Sequence, residues 1–547
     1  MVSVSFQPSG AVIEAEDGAL LLDAARRAGV RVESACAGRG ICKSCIVRLE
    51  SEAGDVPLPS RADEDRFSAD EIKAGWRRAC QTVIEAPLTI HIPAKSYAAN
   101  IALGQDGGTA SVPIEEPLAQ PTDESGIWQI GARHRVGSIN GPPLALAVDL
   151  GTTNIAAALI DMTTGAVFKT SASTNPQSAF GADVISRLGA ANSCLANATA
   201  LKDAAMDAIT RLAERMTAGQ TDTIALVSLA GNTAMQHLAM GWPIGSLLST
   251  PYAPAVTDPF EGLASDMGLP FAKGAQLYVA PSIAGFVGGD HVTSLFETSL
   301  SVKADCWVML DIGTNTEIGL FKDGQLTSVS CASGPAFEGG RLSCGMRAAP
   351  GAVEAVSIAN SDVSLKVIRD KEPVGICGSG VVSAMAALVD AGLVNHRGRL
   401  QTDAPIAVNG KQRELVLWRD PAQKALPVLF TQDDVRNVQL AKAAIRAGLD
   451  CLLSHAGLAE DDLGQMIIAG AFGRYINIEE AVAIGLFPDL PRERMKQVGN
   501  AAAAGVRRLS VCMAARRKAT ALARSVSYLE LASDAAFQRA FIARSKL

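Results

Sequence analysis

Several absences narrow this sequence before any motif does. There is no long run of charge of one sign: 56 Asp and Glu stand against 49 Lys and Arg, a formal charge of -7 dispersed over 547 residues. Neither nucleic acid nor an anionic membrane is therefore expected as the main partner. The opening stretch MVSVSFQPSGAVIEAEDG has no basic segment leading into an apolar one, which argues against a secretory leader. The apolar stretch LALAVDLGTTNIAAALI is interrupted by Asp149, so no membrane span is read there. No flavin or nicotinamide signature is evident. An odd total of 11 cysteines without an export signal points to reduced thiols and a cytoplasmic setting.

What is present describes a globular chain, with 48% hydrophobic and 19% charged residues, too long for a single core. Four cysteines fall within the first 80 residues and the rest are scattered singly; the scattered ones are expected to be mostly buried, as small apolar residues. The early four lie in an alternating context. VSVSF, AVIEAE, CIVRLE and LTIHIP read as strands, and ALLLDAARRAG as a helix stopped by Gly29, together a small mixed sheet of the β-grasp kind over residues 1–95. Cys36, Cys42 and Cys45 share one loop, CAGRGICKSC, and Cys80 follows in GWRRACQTV. Three thiolates in a loop and a fourth far along the chain suit a 2Fe-2S cluster, with Gly38 and Gly40 letting backbone N–H groups approach the sulfurs. The competing reading is structural zinc, which usually brings two close cysteine pairs; Cys80 has no near partner. The pattern is similar to that of 2Fe-2S ferredoxins of the adrenodoxin-like spacing rather than the plant type.

Residues 96–141 are rich in Gly, Pro, Ser and acids. They read either as a flexible linker or as a connector packed on a neighbour; a coil of about 45 residues would average roughly 35–40 Å end to end.

Two stretches then align, VDLGTTNIAAALID at 148–161 and LDIGTNTEIGLFKD at 310–323. Asp149 matches Asp311, Gly151 matches Gly313 and Thr152 matches Thr314, each at the turn of an expected hairpin. The repeat predicts a duplicated domain of the actin, sugar-kinase and heat-shock-ATPase type, its halves at 142–303 and 304–547. Glycine permits close backbone approach, the hydroxyls of Thr152, Thr153 and Thr314 and the N–H groups around Asn315 can hold phosphate oxygens, and the aspartates can hold hydrated magnesium. MIIAGAFG supplies a small-residue turn against adenosine at Gly470, Ala471 and Phe472. Arg436, Gln439 and Lys442 on the preceding helix either reach the base or ribose or form a solvated face. Glu338 in GPAFEGG either orients water at the γ-phosphate or caps a helix. GICGSGVVSAMAALVDAGLV reads as a glycine turn opening a helix, and its Cys377 is given no redox role.

Taken together, CAGRGICKSC, VDLGTTN, GNTAMQHL, PSIAGFVGGDH, LDIGTNTEI, GPAFEGG and AGAFG resemble the reductive activators of corrinoid proteins over nearly the whole chain. The resemblance implies α/β and α+β domains, a β-grasp 2Fe-2S ferredoxin followed by a duplicated actin-like (ribonuclease H-like) ATPase. It implies one 2Fe-2S cluster and ATP with magnesium. It also implies delivery of one electron to cobalt(II) in a corrinoid methyltransferase, such as methionine synthase or an O- or N-demethylase system. A 2Fe-2S centre near roughly -400 mV faces a cobalt couple expected to lie lower, and each 59 mV is about a factor of ten for one electron; ATP would offset that gap. Electrons are expected from an external reductase, and a homodimer is left open because some activators dimerise through a separate middle domain. The C-terminal stretch carries only Cys512, so a second cluster is not expected. Two alternatives stand beside this reading. One is an ATP-driven donor to another low-potential enzyme, although the activators of 2-hydroxyacyl-CoA dehydratases carry a 4Fe-4S cluster shared across a dimer. The other is a non-catalytic iron-sulfur and nucleotide sensor.

Overall fold

The structure is a computed structural model that describes the chain except residues 31, 33, 35–44, 52–55, 97–110, 125, 133, 138, 182, 403–405, 410–411, 423–424 and 471. Alternation at the N-terminus produces five strands, Val2–Gln7, Ala11–Ala15, Ile46–Glu50, Trp76–Arg78 and Leu88–His91. In sheet order the second strand is followed by the first, fifth, third and fourth. The first and fifth run parallel, and the other pairs are antiparallel. The helix Leu21–Arg27 lays Leu21, Leu22, Ala24 and Ala25 on this sheet against Phe6, Val47 and Ile90. Gly29 follows it at φ +70, the left-handed conformation in which helices commonly end.

The described residues between 111 and 141 pack on the rest of the chain. Three short strands, Ala119–Pro121, Trp128–Ile130 and His134–Val136, make their own sheet. Leu118 N–H donates to the Val511 carbonyl at 3.0 Å, and Met513 N–H to that of Glu116 at 2.8 Å, so the segment is fastened to the far end of the chain. Leu118, Ile130 and Val136 are buried in the core of the first half. The β-grasp unit is seated through Ala94, which packs on Met346, Ala349, Ala352 and Cys377. Gly375 is required there, because a Cβ would lie 2.3 Å from that of Ala94.

The duplicated pattern becomes two six-stranded sheets that share five strands in one order and differ in the sixth, which lies antiparallel beside Gln276–Val279 in the first half and parallel beside Gln325–Cys331 in the second. In the first half the order runs Val167–Thr174, Asn154–Asp161, Leu144–Leu150, Ile224–Gly231, Gln276–Val279 and Phe260–Leu263. In the second it runs Met495–Gly499, Gln465–Ala469, Cys306–Ile312, Thr316–Lys322, Gln325–Cys331 and Ser527–Tyr528. Each half is an antiparallel meander whose first strand pairs parallel with a fourth. The strand Leu144–Leu150 is apolar on both faces, as a sheet covered on both sides demands, and Asp149 is its one charged residue. The long helix Gln432–Ala456 begins at a capping box between Thr431 and Asp434, a device worth about 0.5–2 kcal/mol, and buries Val438, Ala441, Ile445, Leu449 and Leu452 in the second core.

Helices Gly289–Ser299 of the first half and Ala501–Leu509 of the second pack directly on each other. Gly505 permits this, since a Cβ there would meet the Thr293 carbonyl at 2.3 Å, and Arg508 clasps Glu297 through two hydrogen bonds of 2.8 Å. The scattered cysteines depart from expectation. Cys331, Cys377 and Cys512 are buried, Cys306, Cys344 and Cys451 are half-buried, and Cys194 is exposed. Among the described residues no helix is long and apolar enough to cross a membrane.

Candidate functional site

Two sites emerge, one in the β-grasp unit and one between the duplicated halves. In the first, Cys45 precedes the strand Ile46–Glu50 and Cys80 follows the strand Trp76–Arg78 to which it pairs. Their thiols are buried and 3.3 Å apart without forming a disulfide. Two sulfurs about 2.3 Å from one tetrahedral ion sit on the order of 3.7 Å apart, so this pair fits ligation of a common iron. Gln81 Nε2 lies 3.6 Å from the Cys80 sulfur as a donor, the kind of contact that stabilises negative charge on sulfur. Cys36 and Cys42 lie outside the described residues.

In the second, the two hairpin turns face each other. Thr153 Oγ1 is 3.1 Å from Thr314 Oγ1. Both hydroxyls reach the same oxygen, Glu338 Oε2, from Thr314 at 2.6 Å and from Thr153 at 3.1 Å. Glu338 closes the short turn Pro335–Glu338, between Gly334 and Gly339, both at φ +78, so its carboxylate spans the cleft instead of capping the turn. Thr152 turns the other way and accepts from Asn232 Nδ2 at 2.9 Å. Gly151 sits where a Cβ would press on the Asn154 carbonyl at 2.7 Å, whereas Gly313 has nothing nearer than 3.3 Å. Asn315 is half-buried at its turn.

Behind the hydroxyls is a set of acids. Asp149 accepts from Asn500 Nδ2 at 2.8 Å; burial above all, with Asp311 adding to it, pushes its carboxyl up to about 6 against the pull of Asn500 and Arg507. Asp311 accepts from Ser294 Oγ at 2.6 Å, and burial raises it too. Asp290 and Glu317 were not singled out from the sequence, yet they complete the group. Burial raises both; Asp149 and Asp311 add to the effect on Asp290, and Asp290 and Asp311 to that on Glu317. The carboxylates repel one another, but among the described residues no three Asp, Glu, His or Cys side chains converge closely enough to hold a metal ion directly, so a divalent cation here would be held through its water shell. Asp290 had a signal in Gly288–Gly289–Asp290: Gly288 lies so close to Asn232 that a Cβ would be 2.4 Å from its Cα, which brings the start of that helix to the residue that holds Thr152 of the first hairpin. Glu317 had none beyond its place on the second hairpin.

Gly470 also meets this centre. It has φ +90, and a Cβ would lie 2.6 Å from the Ile312 carbonyl and 3.0 Å from Asp311 Oδ1. Phe472 stacks on Phe337, with ring centroids 5.2 Å apart, while Ala471 lies outside the described residues. Gln439 and Lys442 meet neither expectation, adenosine contact or solvated face. Gln439 Nε2 donates to the Ser545 carbonyl at 2.8 Å, and Lys442 Nζ to those of Ile484 at 2.8 Å and Lys546 at 2.6 Å. The folding back of the C-terminal helix Ala535–Arg544 covers them, which helix periodicity alone could not reveal. Arg436 is exposed. Cys377 donates its thiol to the Val353 carbonyl at 3.3 Å.

Comparison with known proteins follows the same divisions. Residues 4–85 match a family model described as a 2Fe-2S iron-sulfur cluster binding domain. Residues 144–303 match one described as the RACo middle region, and residues 305–547 one described as the C-terminal domain of RACo, the ASKHA domain. The middle-region model thus falls on the first of the two similar sheets, not on the connector. The chain is 28% identical, over an alignment of 575 positions, to the corrinoid activation enzyme RamQ of Eubacterium limosum, spanning 97% of this chain and 96% of the relative. A Co(II) methylated amine-specific corrinoid protein reductase of Methanosarcina barkeri is 28% identical over 264 residues, 44% of this chain and 46% of that protein. A solved reductive activator for corrinoid, iron-sulfur protein superposes with TM-score 0.71 at 27% identity, over 100% of this chain and 98% of the other.

Proposed function

We propose, from the premise that this chain belongs with the reductive activators of corrinoid proteins, that it restores cobalt(I) in a corrinoid protein by passing one electron to cobalt(II) with hydrolysis of ATP. The observation that carries the reading is the union in one chain of a buried cysteine pair, Cys45 and Cys80, with a cleft where the two hairpins converge on Glu338.

Cys36, Cys42, Cys45 and Cys80 would hold one 2Fe-2S cluster, which when bound supplies a one-electron centre. In the cleft, Thr152, Thr153 and Thr314, with the backbone N–H groups of Gly151, Gly313 and Asn315, hold phosphate oxygens. Asp149 and Asp311, joined by Asp290, would hold magnesium through its water shell. Glu338 gives up its two threonine hydroxyls to the phosphate and orients the attacking water. Gly470, Ala471 and Phe472 form the turn beside adenosine. Because the phosphate contacts come from both halves, ATP favours their closure. Hydrolysis removes that preference, so the two nucleotide states differ in how they hold the corrinoid partner. Electrons enter from an external reductase.

The reading is tested by anaerobic absorbance with the dithionite-reduced chain, a corrinoid protein carrying cobalt(II), and ATP added last. A cobalt(I) spectrum that appears only after ATP, and fails with Cys80→Ser or Asp311→Ala, supports it. ATP hydrolysis with cobalt remaining oxidised overturns it.

A further inference from the structure

The two signature aspartates are each held by the opposite half. Asp149, on the first strand of the first half, accepts from Asn500, the residue that caps helix Ala501–Leu509 of the second half. Asp311, on the first strand of the second half, accepts from Ser294 of helix Gly289–Ser299 of the first half. These two helices are the pair that packs through Thr293 and Gly505 and is tied by Glu297 and Arg508. The arrangement is therefore a crossed brace: each of the two signature aspartates is oriented by a helix of the other half, and those helices form the joint between the halves.

We infer that Ser294 and Asn500 are positioning residues that couple the orientation of the cleft carboxylates to the angle between the two halves. This rests on the proposed ATP reading of the cleft. A rotation of one half about the helix pair cannot leave both hydrogen bonds intact, because each spans the joint. Equally, a cation–nucleotide complex that fixes both carboxylates fixes the joint. Two features separate this from ordinary packing. The bonds are reciprocal, and neither is needed to satisfy the helix that supplies it: Asn500 uses its oxygen, not its amide N–H, to cap the helix, accepting from Ala503 N–H at 2.8 Å.

That division of labour supplies the test. Asn500→Asp keeps a cap acceptor for Ala503 but replaces the donor facing Asp149 with a second carboxylate. Ser294→Ala removes the donor to Asp311, and Ser294→Thr restores a hydroxyl. Steady-state ATP hydrolysis by the cluster-loaded full chain is measured for each, with a thermal melt to confirm folding. The expected result is a fall in kcat of about tenfold or more in Asn500→Asp and Ser294→Ala, with KM for Mg-ATP within about threefold. Ser294→Thr should recover most of the loss, and the Asn500→Asp, Ser294→Ala double variant should be no worse than the lower single, since one device is broken once. Wild-type kcat in folded Ser294→Ala and Asn500→Asp, or a loss confined to KM, overturns the inference. A wild-type chain that hydrolyses ATP but reduces no corrinoid overturns the proposed function instead and leaves this comparison of variants intact.

Discussion

Thr153 and Thr314, on equivalent hairpins of the two halves, bring their hydroxyl oxygens to 3.1 Å and share one acceptor, Glu338 Oε2. The pair is not the symmetric one. Alignment of the repeats sets Thr152 opposite Thr314, yet Thr152 is engaged by Asn232 and its neighbour crosses the cleft. With each single hydroxyl hydrogen directed at Glu338, exchange of that acceptor for phosphate would release the carboxylate to act on water.

Glu338→Gln is accordingly expected to lower ATP turnover by about 10²-fold or more, the usual contribution of a positioned base, with little change in melting temperature. Phosphate release measured at saturating Mg-ATP checks this.

Cys80→Ser should remove one of the two closely placed buried thiols and with it the iron, while ATP hydrolysis persists, because the cleft lies in a different unit. Iron and sulfide content and visible absorbance of anaerobically reconstituted protein give the comparison.

Asp290→Asn should stabilise the metal-free fold by about 1–2 kcal/mol, since it removes one of several repelling, dehydrated carboxylates. The same change should weaken Mg-ATP binding. Urea unfolding without magnesium and calorimetric titration with it give the two opposite signs.

His291 is buried, and burial pushes its imidazole down to about 3; its ring donates to or accepts from Ser328 Oγ at 2.9 Å. Its unfolded value is higher, so below about pH 6.5 the unfolded chain binds a proton that the folded chain refuses. Stability is thus lost as pH falls from about 6.5 toward 3, by at most about 1.4 kcal/mol per pH unit. His291→Gln should flatten that part of the profile when unfolding free energies at pH 7 and pH 5 are compared with wild type.

Lys442→Met should cost about 1–3 kcal/mol by leaving the Ile484 and Lys546 carbonyls without their donor, and should leave the KM for ATP unchanged. A raised KM with unaltered stability would restore the adenosine role for this side chain.

The sequence by itself determined the elements and the local chemistry. Period-two alternation in VSVSF and LTIHIP and the repeated Asp-x-Gly-Thr turns depend on contacts a few residues away, so they could be read directly, and the cysteine spacing pointed to the chemistry proposed for it. Only tertiary structure decided which distant groups meet. It placed Asp290 and Glu317 among the cleft acids, turned Thr153 rather than Thr152 across the cleft, gave Gln439 and Lys442 to the C-terminal carbonyls, and crossed Asn500 and Ser294 onto the aspartates of opposite halves. A polar side chain on a helix looks the same in sequence whether water, a ligand or another helix faces it; its partner is fixed by how whole elements pack, and packing is a property of the assembled chain.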